Sequence, residues 1–208
     1  MTVDDYEWED LDIDDTEATV GGKKNKILIA DMDTTSWKRD LSSDLEVLRH
    51  LLLMFNDITP IHDTKLQTLK QVVYNKIDNP INGRNKKVII FTAFSDTAEY
   101  LYNCLADSIY KDKGLHTAMI TGDVDSRSTL RLKRKMDFNT LLTLFSPLSK
   151  EKATIFPTIQ EEIDILIATD CISEGQNLQD CDFLINYDIH WNPVRIIQRF
   201  GRIDRIGS

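Results

Sequence analysis

Cysteine is scarce: Cys104, Cys171 and Cys181 are the only three in 208 residues. Three cysteines cannot all pair internally, and none sits in a Cys-x-x-Cys. This argues against a zinc site and for a reduced, intracellular setting, the cytoplasm. No apolar run approaches the roughly 20 residues that a membrane-spanning helix needs. No secretory signal pattern is present, because the first residues are acidic where a basic region is required. Internal repeats are missing too. So is a phosphate-binding loop: Gly22-Lys23 runs on into Lys24, and no glycine stands at the required spacing before Gly22. No Asp-Glu-x-His box occurs. The last two absences predict that this chain alone does not hydrolyse a nucleoside triphosphate.

Lysine and arginine are missing from residues 1–20, which hold nine acidic residues (Asp4, Asp5, Glu7, Glu9, Asp10, Asp12, Asp14, Asp15 and Glu17). The net charge of −9 is therefore the charge of this head. Of the 34 acidic residues, 25 remain to balance the 25 Lys and Arg. Such a head reads as a flexible, solvated tail or linker; an acidic arm that docks on a basic partner is the alternative. The organisation expected is an acidic tail over 1–26, a leading helical segment over 27–80, and one α/β domain over 81–208, a size that a single core can organise.

The apolar pattern becomes regular along the chain. Residues 26–30 read as a short strand. Residues 43–55 carry helical spacing (Leu45, Leu48, Leu52, Phe55), as do 64–77 (Leu66, Leu69, Val72, Val73, Ile77). Residues 80–85 read as a loop. Strands are expected at 87–91, 116–121, 163–168 and 183–187, and helices at 96–109, 126–144 and 193–200, with 146–161 as a loop. The second of these helices carries a basic run (Arg131, Lys133, Arg134, Lys135). That run reads as an exposed face, with contact to a nucleic-acid backbone as the alternative. Strand–helix alternation implies an α/β fold, a parallel sheet with helices on both faces. Ligands then bind at the carboxyl ends of the strands.

Polar residues gather after the third of those strands: Thr169-Asp170, then Ser173-Glu174-Gly175-Gln176-Asn177. Gly175 lets a backbone approach a ligand closely, and hydroxyls and loop N–H groups suit phosphate oxygens. An ordinary loop capping a helix is the alternative. The chain closes on Gln198-Arg199-Phe200-Gly201-Arg202-Ile203-Asp204-Arg205-Ile206-Gly207-Ser208, and it reads as a piece of something longer. Arg202 and Arg205, three apart, share one face of a turn. Two planar guanidiniums can brace the charge that develops on a departing γ-phosphoryl group. A helix-end cation cluster satisfied by Asp204 or Asp188 is the alternative. Trp191 reads as packing under the last helix, and His116 and His190 as hydrogen-bonded or solvated residues that hold no metal.

Taken together, the Thr169-Asp170…Glu174-Gly175-x-Asn177 loop and the Gln198-Arg199-x-Gly201-Arg202-x-x-Arg205 run resemble motifs V and VI of the superfamily 2 helicases and translocases. Asp188-Ile189-His190-Trp191-Asn192-Pro193 and Asp204-Arg205-Ile206-Gly207 are similar to the Swi/Snf-type branch. Residues 88–94 resemble motif IV, Met119–Asp123 with Arg127 resemble the motif IVa region, and residues 63–69 resemble the helix that leads into this lobe. The resemblance covers roughly residues 60–208. It implies a RecA-like C-terminal lobe without a phosphate loop, one half of an ATPase. ATP and Mg are then bound mainly by an N-terminal lobe outside this chain. This lobe supplies Arg202 and Arg205 as arginine fingers, with Gly175, Asn177 and Gln198 near the nucleotide. Thr92, Thr121, Gly122 and Thr169 lie near a nucleic-acid backbone, expected to be DNA. Two features depart from the family: the long 145–162 stretch, and a motif V loop poorer in glycine than Swi/Snf-type remodellers usually show.

Two other classes compete. Ile27–Thr35 fits the strand and Asp-x-Asp-x-Thr of a haloacid-dehalogenase-type phosphatase, with Asp31 as nucleophile, Asp33 as general acid, and magnesium. That reading leaves residues 163–208 unexplained. The other is a non-catalytic, helicase-like module that serves only assembly; the intact Arg202/Arg205 pair argues against it.

Overall fold

A computed structural model describes residues 19–21, 26–134, 136–172, 176–189 and 191–204. The chain divides into two units, Met1–Thr59 and Pro60–Ser208.

In the first unit, β1 (Thr19–Gly21) pairs antiparallel with β2 (Lys26–Leu28). A 3₁₀ turn over Ile29–Asp31 follows, then α1 (Thr34–Asn56). This helix starts well before the 43–55 stretch marked by apolar spacing. Asp33 supplies the reason: its carboxylate accepts the Ser36 N–H at 2.9 Å and caps the helix. No residue of α1 is buried; Trp37, Leu41, Leu45, Leu48, Leu52 and Phe55 are all exposed.

The second unit opens with a 3₁₀ turn (Pro60–His62) and α2 (Thr64–Asp78), capped by the Asp63 carboxylate on Leu66 N at 2.9 Å. There follow β3 (Val88–Phe91), α3 (Ser95–Lys113), β4 (Thr117–Ile120) and β5 (Arg127–Ser128). Then come α4 (Phe138–Phe145), α5 (Lys152–Ile155), β6 (Ile165–Ala168), β7 (Leu184–Asn186) and α6 (Pro193–Phe200). The sheet order is β5-β4-β6-β3-β7. The four strands from β4 to β7 are parallel, and β5 is an antiparallel edge. This is the expected α/β fold.

Alternation along the buried strands feeds two apolar layers. Val88, Ile90, Met119, Ile165 and Ile167 face one side, where α2 and α3 pack through Leu66, Leu69, Val73, Leu101, Leu105 and Ile109. Ile89, Phe91, Ala118, Ile120, Leu166 and Ala168 face the other, against Leu141, Leu142, Leu144 and Phe145 of α4 together with Leu178 and Cys181.

One expected helix does not form. Residues 126–144 give β5, an irregular stretch, and only the short α4. Hydroxyls divert the backbone here. Thr129 Oγ1 accepts the Thr117 N–H at 3.0 Å, and Ser128 Oγ accepts the Leu130 N–H at 3.0 Å. The helix begins only where Asp137 caps it on Thr140 N at 2.9 Å. Arg131, Lys133 and Arg134 therefore lie in the irregular stretch and not on a helix face, and Lys135 lies outside the described residues.

Candidate nucleotide and nucleic-acid edge

Parallel strands bring their carboxyl ends to one edge. Ile120 and Phe91 both stand opposite Ala168, and Asn186 stands opposite Phe91. The ladder runs one residue past the strands. Thr92 N donates to Ala168 O at 3.0 Å, Thr169 N to Ile120 O at 3.2 Å, and Tyr187 N to Phe91 O at 2.8 Å. The register thus brings Thr92, Thr121 and Thr169 to one level, with Gly122 beside them. A Cβ at Gly122 would meet the Cys171 Cβ at 3.4 Å, so the loops after β4 and β6 touch there.

The two loop threonines behave alike. Thr92 Oγ1 donates to Phe94 O at 2.7 Å and accepts the Phe94 N–H at 3.2 Å. Thr121 Oγ1 donates to Val124 O and accepts the Val124 N–H, both at 3.1 Å. Each hydroxyl closes its own turn, so what these turns shape first is the loop backbone.

Arg199 is the residue that sequence reasoning missed. It is 2 % exposed and makes a bidentate pair with Asp170, Nε to Oδ1 at 2.7 Å and Nη2 to Oδ2 at 3.0 Å. Its Nη1 also donates to Asn186 Oδ1 at 2.9 Å and to Asp188 O at 3.3 Å. The guanidinium lies 5.2 Å from the centre of the Phe91 ring. One side chain therefore ties α6 to the ends of β3, β6 and β7. Only the structure shows that Arg199 lies on the inner side of a helix whose Val194, Ile197 and Phe200 are exposed.

The turn after α6 is held in the same way. Arg202 N donates to Arg199 O at 3.2 Å, and Leu178 N donates to Arg202 O at 3.1 Å. The second bond joins the 176–178 loop to the arginine turn. Asn177, whose Oδ1 accepts the Gln179 N–H at 3.3 Å, is thus brought beside the Arg202 backbone. Lys150 donates to Gln176 in that loop, and burial pulls the Lys150 ammonium below its ordinary pKa. Asn177, Gln198 and Arg202 are half-buried. Gly175 and Arg205 lie outside the described residues, as does His190.

A second cation reaches this edge from α2. Lys65 Nζ lies 2.9 Å from Asp188 Oδ1 and 3.8 Å from the centre of the Tyr187 ring. The other Asp188 oxygen accepts the Ala93 N–H at 3.3 Å. Tyr100 donates to Asp63 Oδ2 at 3.0 Å; burial, aided by that carboxylate, raises the Tyr100 phenol above its ordinary pKa.

The helicase conserved C-terminal domain model matches residues 64–207. This chain belongs to that family. The match runs from Thr64 to Gly207, so it takes in α2, β3, α3, β4, α4 and β6, whose buried residues build the two core layers. Among curated proteins, the chain is 56% identical over 47 residues to an uncharacterized ATP-dependent helicase, YqhH, of Bacillus subtilis (23% of this chain). It is 27% identical over 141 residues (68% of this chain) to the ATP-dependent DNA helicase MPH1 of Pyricularia oryzae. It is 24% identical over 191 residues (80% of this chain) to the mitochondrial ATP-dependent RNA helicase MRH4 of Kluyveromyces lactis. The matches span 8%, 11% and 32% of those relatives' own lengths.

The phosphatase alternative places its acids at Asp31 and Asp33, outside the matched residues 64–207. Asp31 closes a 3₁₀ turn and Asp33 caps α1, while β2, before them, pairs only with β1 in a two-stranded ribbon. Neither carboxylate stands at the end of a parallel strand.

Proposed function

We propose that this helicase C-terminal domain is the C-terminal motor lobe of a nucleic-acid-dependent ATPase of the Swi/Snf-type branch, working inside the cell on DNA. On this reading Arg202 and Arg205 are arginine fingers, and Gly175, Asn177 and Gln198 lie near the nucleotide. ATP and Mg are held mainly by an N-terminal RecA-like lobe of the same protein. The nucleic-acid backbone runs over Thr92, Thr121, Gly122 and Thr169.

The observation that supports this reading best is the locked turn. The Leu178–Arg202 bond and the buried Arg199–Asp170 pair fix Arg202 against the loop that carries Asn177. A finger needs that rigidity, because charge is stabilised only by donors already in position. The relatives supply ATP dependence by name, and both DNA and RNA occur among them. The Trp191-Asn192-Pro193 wording favours the Swi/Snf-type branch and hence DNA. The chemistry asked of the lobe is modest: two guanidiniums neutralise charge on a departing phosphoryl group, and closure of two lobes couples that event to movement along a strand.

The test uses the full-length protein. Arg202→Ala and Arg205→Ala are each expected to lower ATP turnover by about 10³-fold or more while ATP binding is kept. Near-normal turnover in both variants would reject the finger assignment.

A further inference from the structure

A groove of 590 Å³ lies on the β5 flank of the sheet, lined by Tyr102, Asp107, Tyr110, Arg127, Thr129 and Arg131 among others. It is not part of the edge described above. Thr129, one of its lining residues, donates its N–H to Thr117 O at 3.0 Å, at the amino end of β4. Its volume falls in the range of small-ligand sites.

The lining has a particular chemistry. Tyr110 is 49% exposed and stacks on His116, with ring centres 5.0 Å apart and planes at 29°. His116 is itself steadied by Thr129, with Nδ1 and Oγ1 sharing a hydrogen bond at 3.2 Å. Tyr110 thus lines the groove with a ring stacked on one side by His116. Arg127 is already engaged: it pairs with Glu99 at 3.0 Å and lies 4.9 Å from the centre of the Tyr102 ring. Arg131 makes no ion pair with a described residue, and it is exposed. It is therefore the cation left for a ligand. Asp107, also among the lining residues and exposed, offers acceptor oxygens.

A flat ring, an unspent guanidinium and a carboxylate acceptor within one groove match the three parts of a nucleotide. The base stacks on an aromatic face, the phosphate takes an arginine, and a sugar hydroxyl or an exocyclic amine donates to a carboxylate. We infer that this groove is a nucleoside-phosphate site, with Tyr110 as the stacking platform and Arg131 as the phosphate contact. The ligand can be one unit of a nucleic-acid strand or a free nucleotide; the chemistry is the same. The inference stands apart from the arginine-finger reading, because no residue is shared and the readout below is not ATP turnover.

The experiment photocrosslinks the 208-residue chain to a dT12 oligonucleotide carrying 4-thiothymidine, and in a second arm to 8-azido-AMP. The adducts are mapped by mass spectrometry. Adducts are expected on Tyr110 or within residues 127–134, reduced about fivefold or more by Tyr110→Ala and by Arg131→Glu. Circular dichroism checks that each variant is folded, and Arg131→Gln replaces the glutamate variant should that one misfold. An oligonucleotide adduct that resists millimolar AMP assigns the groove to a strand. An adduct from 8-azido-AMP that AMP displaces assigns it to a free nucleotide. Adducts mapped only elsewhere, or a yield that neither substitution lowers, would overturn the site.

Discussion

Arg199 and Asp170 differ in what each leaves behind. The Arg199 side chain is 2% exposed and that of Asp170 is 29% exposed. Removing the acid leaves a guanidinium sealed among Phe91, Asn186 and the sheet edge. Removing the base leaves a carboxylate that water still reaches. A buried charge that loses its partner typically costs about 3–5 kcal/mol, whereas a partly hydrated one costs less. Asp170→Asn is therefore expected to destabilise the domain by about 3 kcal/mol, and Arg199→Met by clearly less. Urea unfolding of both variants checks the order. If Arg199→Met proved the more damaging, packing of the arginine on Phe91 would outweigh its charge.

At the level of elements, the amino ends of β3, β4 and β6 meet at Asp164. Its backbone carbonyl accepts from Val88 N at 2.9 Å, and its Oδ2 accepts from His116 N at 3.2 Å. Burial raises its carboxyl above the ordinary 3.8, only partly offset by Lys87 and the His116 N–H. The native state thus holds this proton more tightly than the unfolded chain. Stability attributable to Asp164 is present at acid pH and falls as pH rises from 3.8 through the raised native value. Asp164→Asn keeps an oxygen to accept the His116 N–H but cannot ionise. The variant is expected to flatten this decline and to be at least as stable as the parent at neutral pH, read from urea midpoints across pH. A steeper decline in the variant would reverse the sign argued here.

On the scale of the whole molecule, the described residues of both core layers belong to the Pro60–Ser208 unit. Helix α1 buries no residue. Deleting residues 1–59 is therefore expected to leave a domain that unfolds cooperatively with a free energy within about 1 kcal/mol of the parent transition. Calorimetry of the two chains makes the comparison. A truncated chain without a cooperative transition would show that the first unit is needed to complete the core.

Much of this was legible because certain segments carry one dominant signal. Val88–Phe91 and Ile165–Ala168 are continuous apolar runs, and such runs fit the interior of a parallel sheet. Pro193 after Asn192 marked the start of α6, since a proline suits the first turn and an asparagine caps it. The 126–144 stretch misled because its apolar spacing is compatible with a helix, whereas its fate depended on Thr129 and Ser128 meeting Thr117 across the sheet. α1 was legible as a helix but not in length, because its start depends on a single capping bond. Among the site residues, the threonines at the strand ends could be read from their positions. Arg199 could not be singled out, because an arginine between two other arginines shows its role only once Asp170 is known to face it.

Composition, apolar period and motif order by themselves determined the class of fold, the order of its strands and helices along the chain, and the edge to which its polar loops belong. These are local properties, set by which side chains repeat at two or at three to four residues. Tertiary structure alone decided which arginine is buried and paired, which loop is bonded to the arginine turn, and where a groove lies open on the β5 flank. Each of those depends on groups far apart in sequence, and their charges and donors are satisfied only when the sheet brings them within a hydrogen bond of one another.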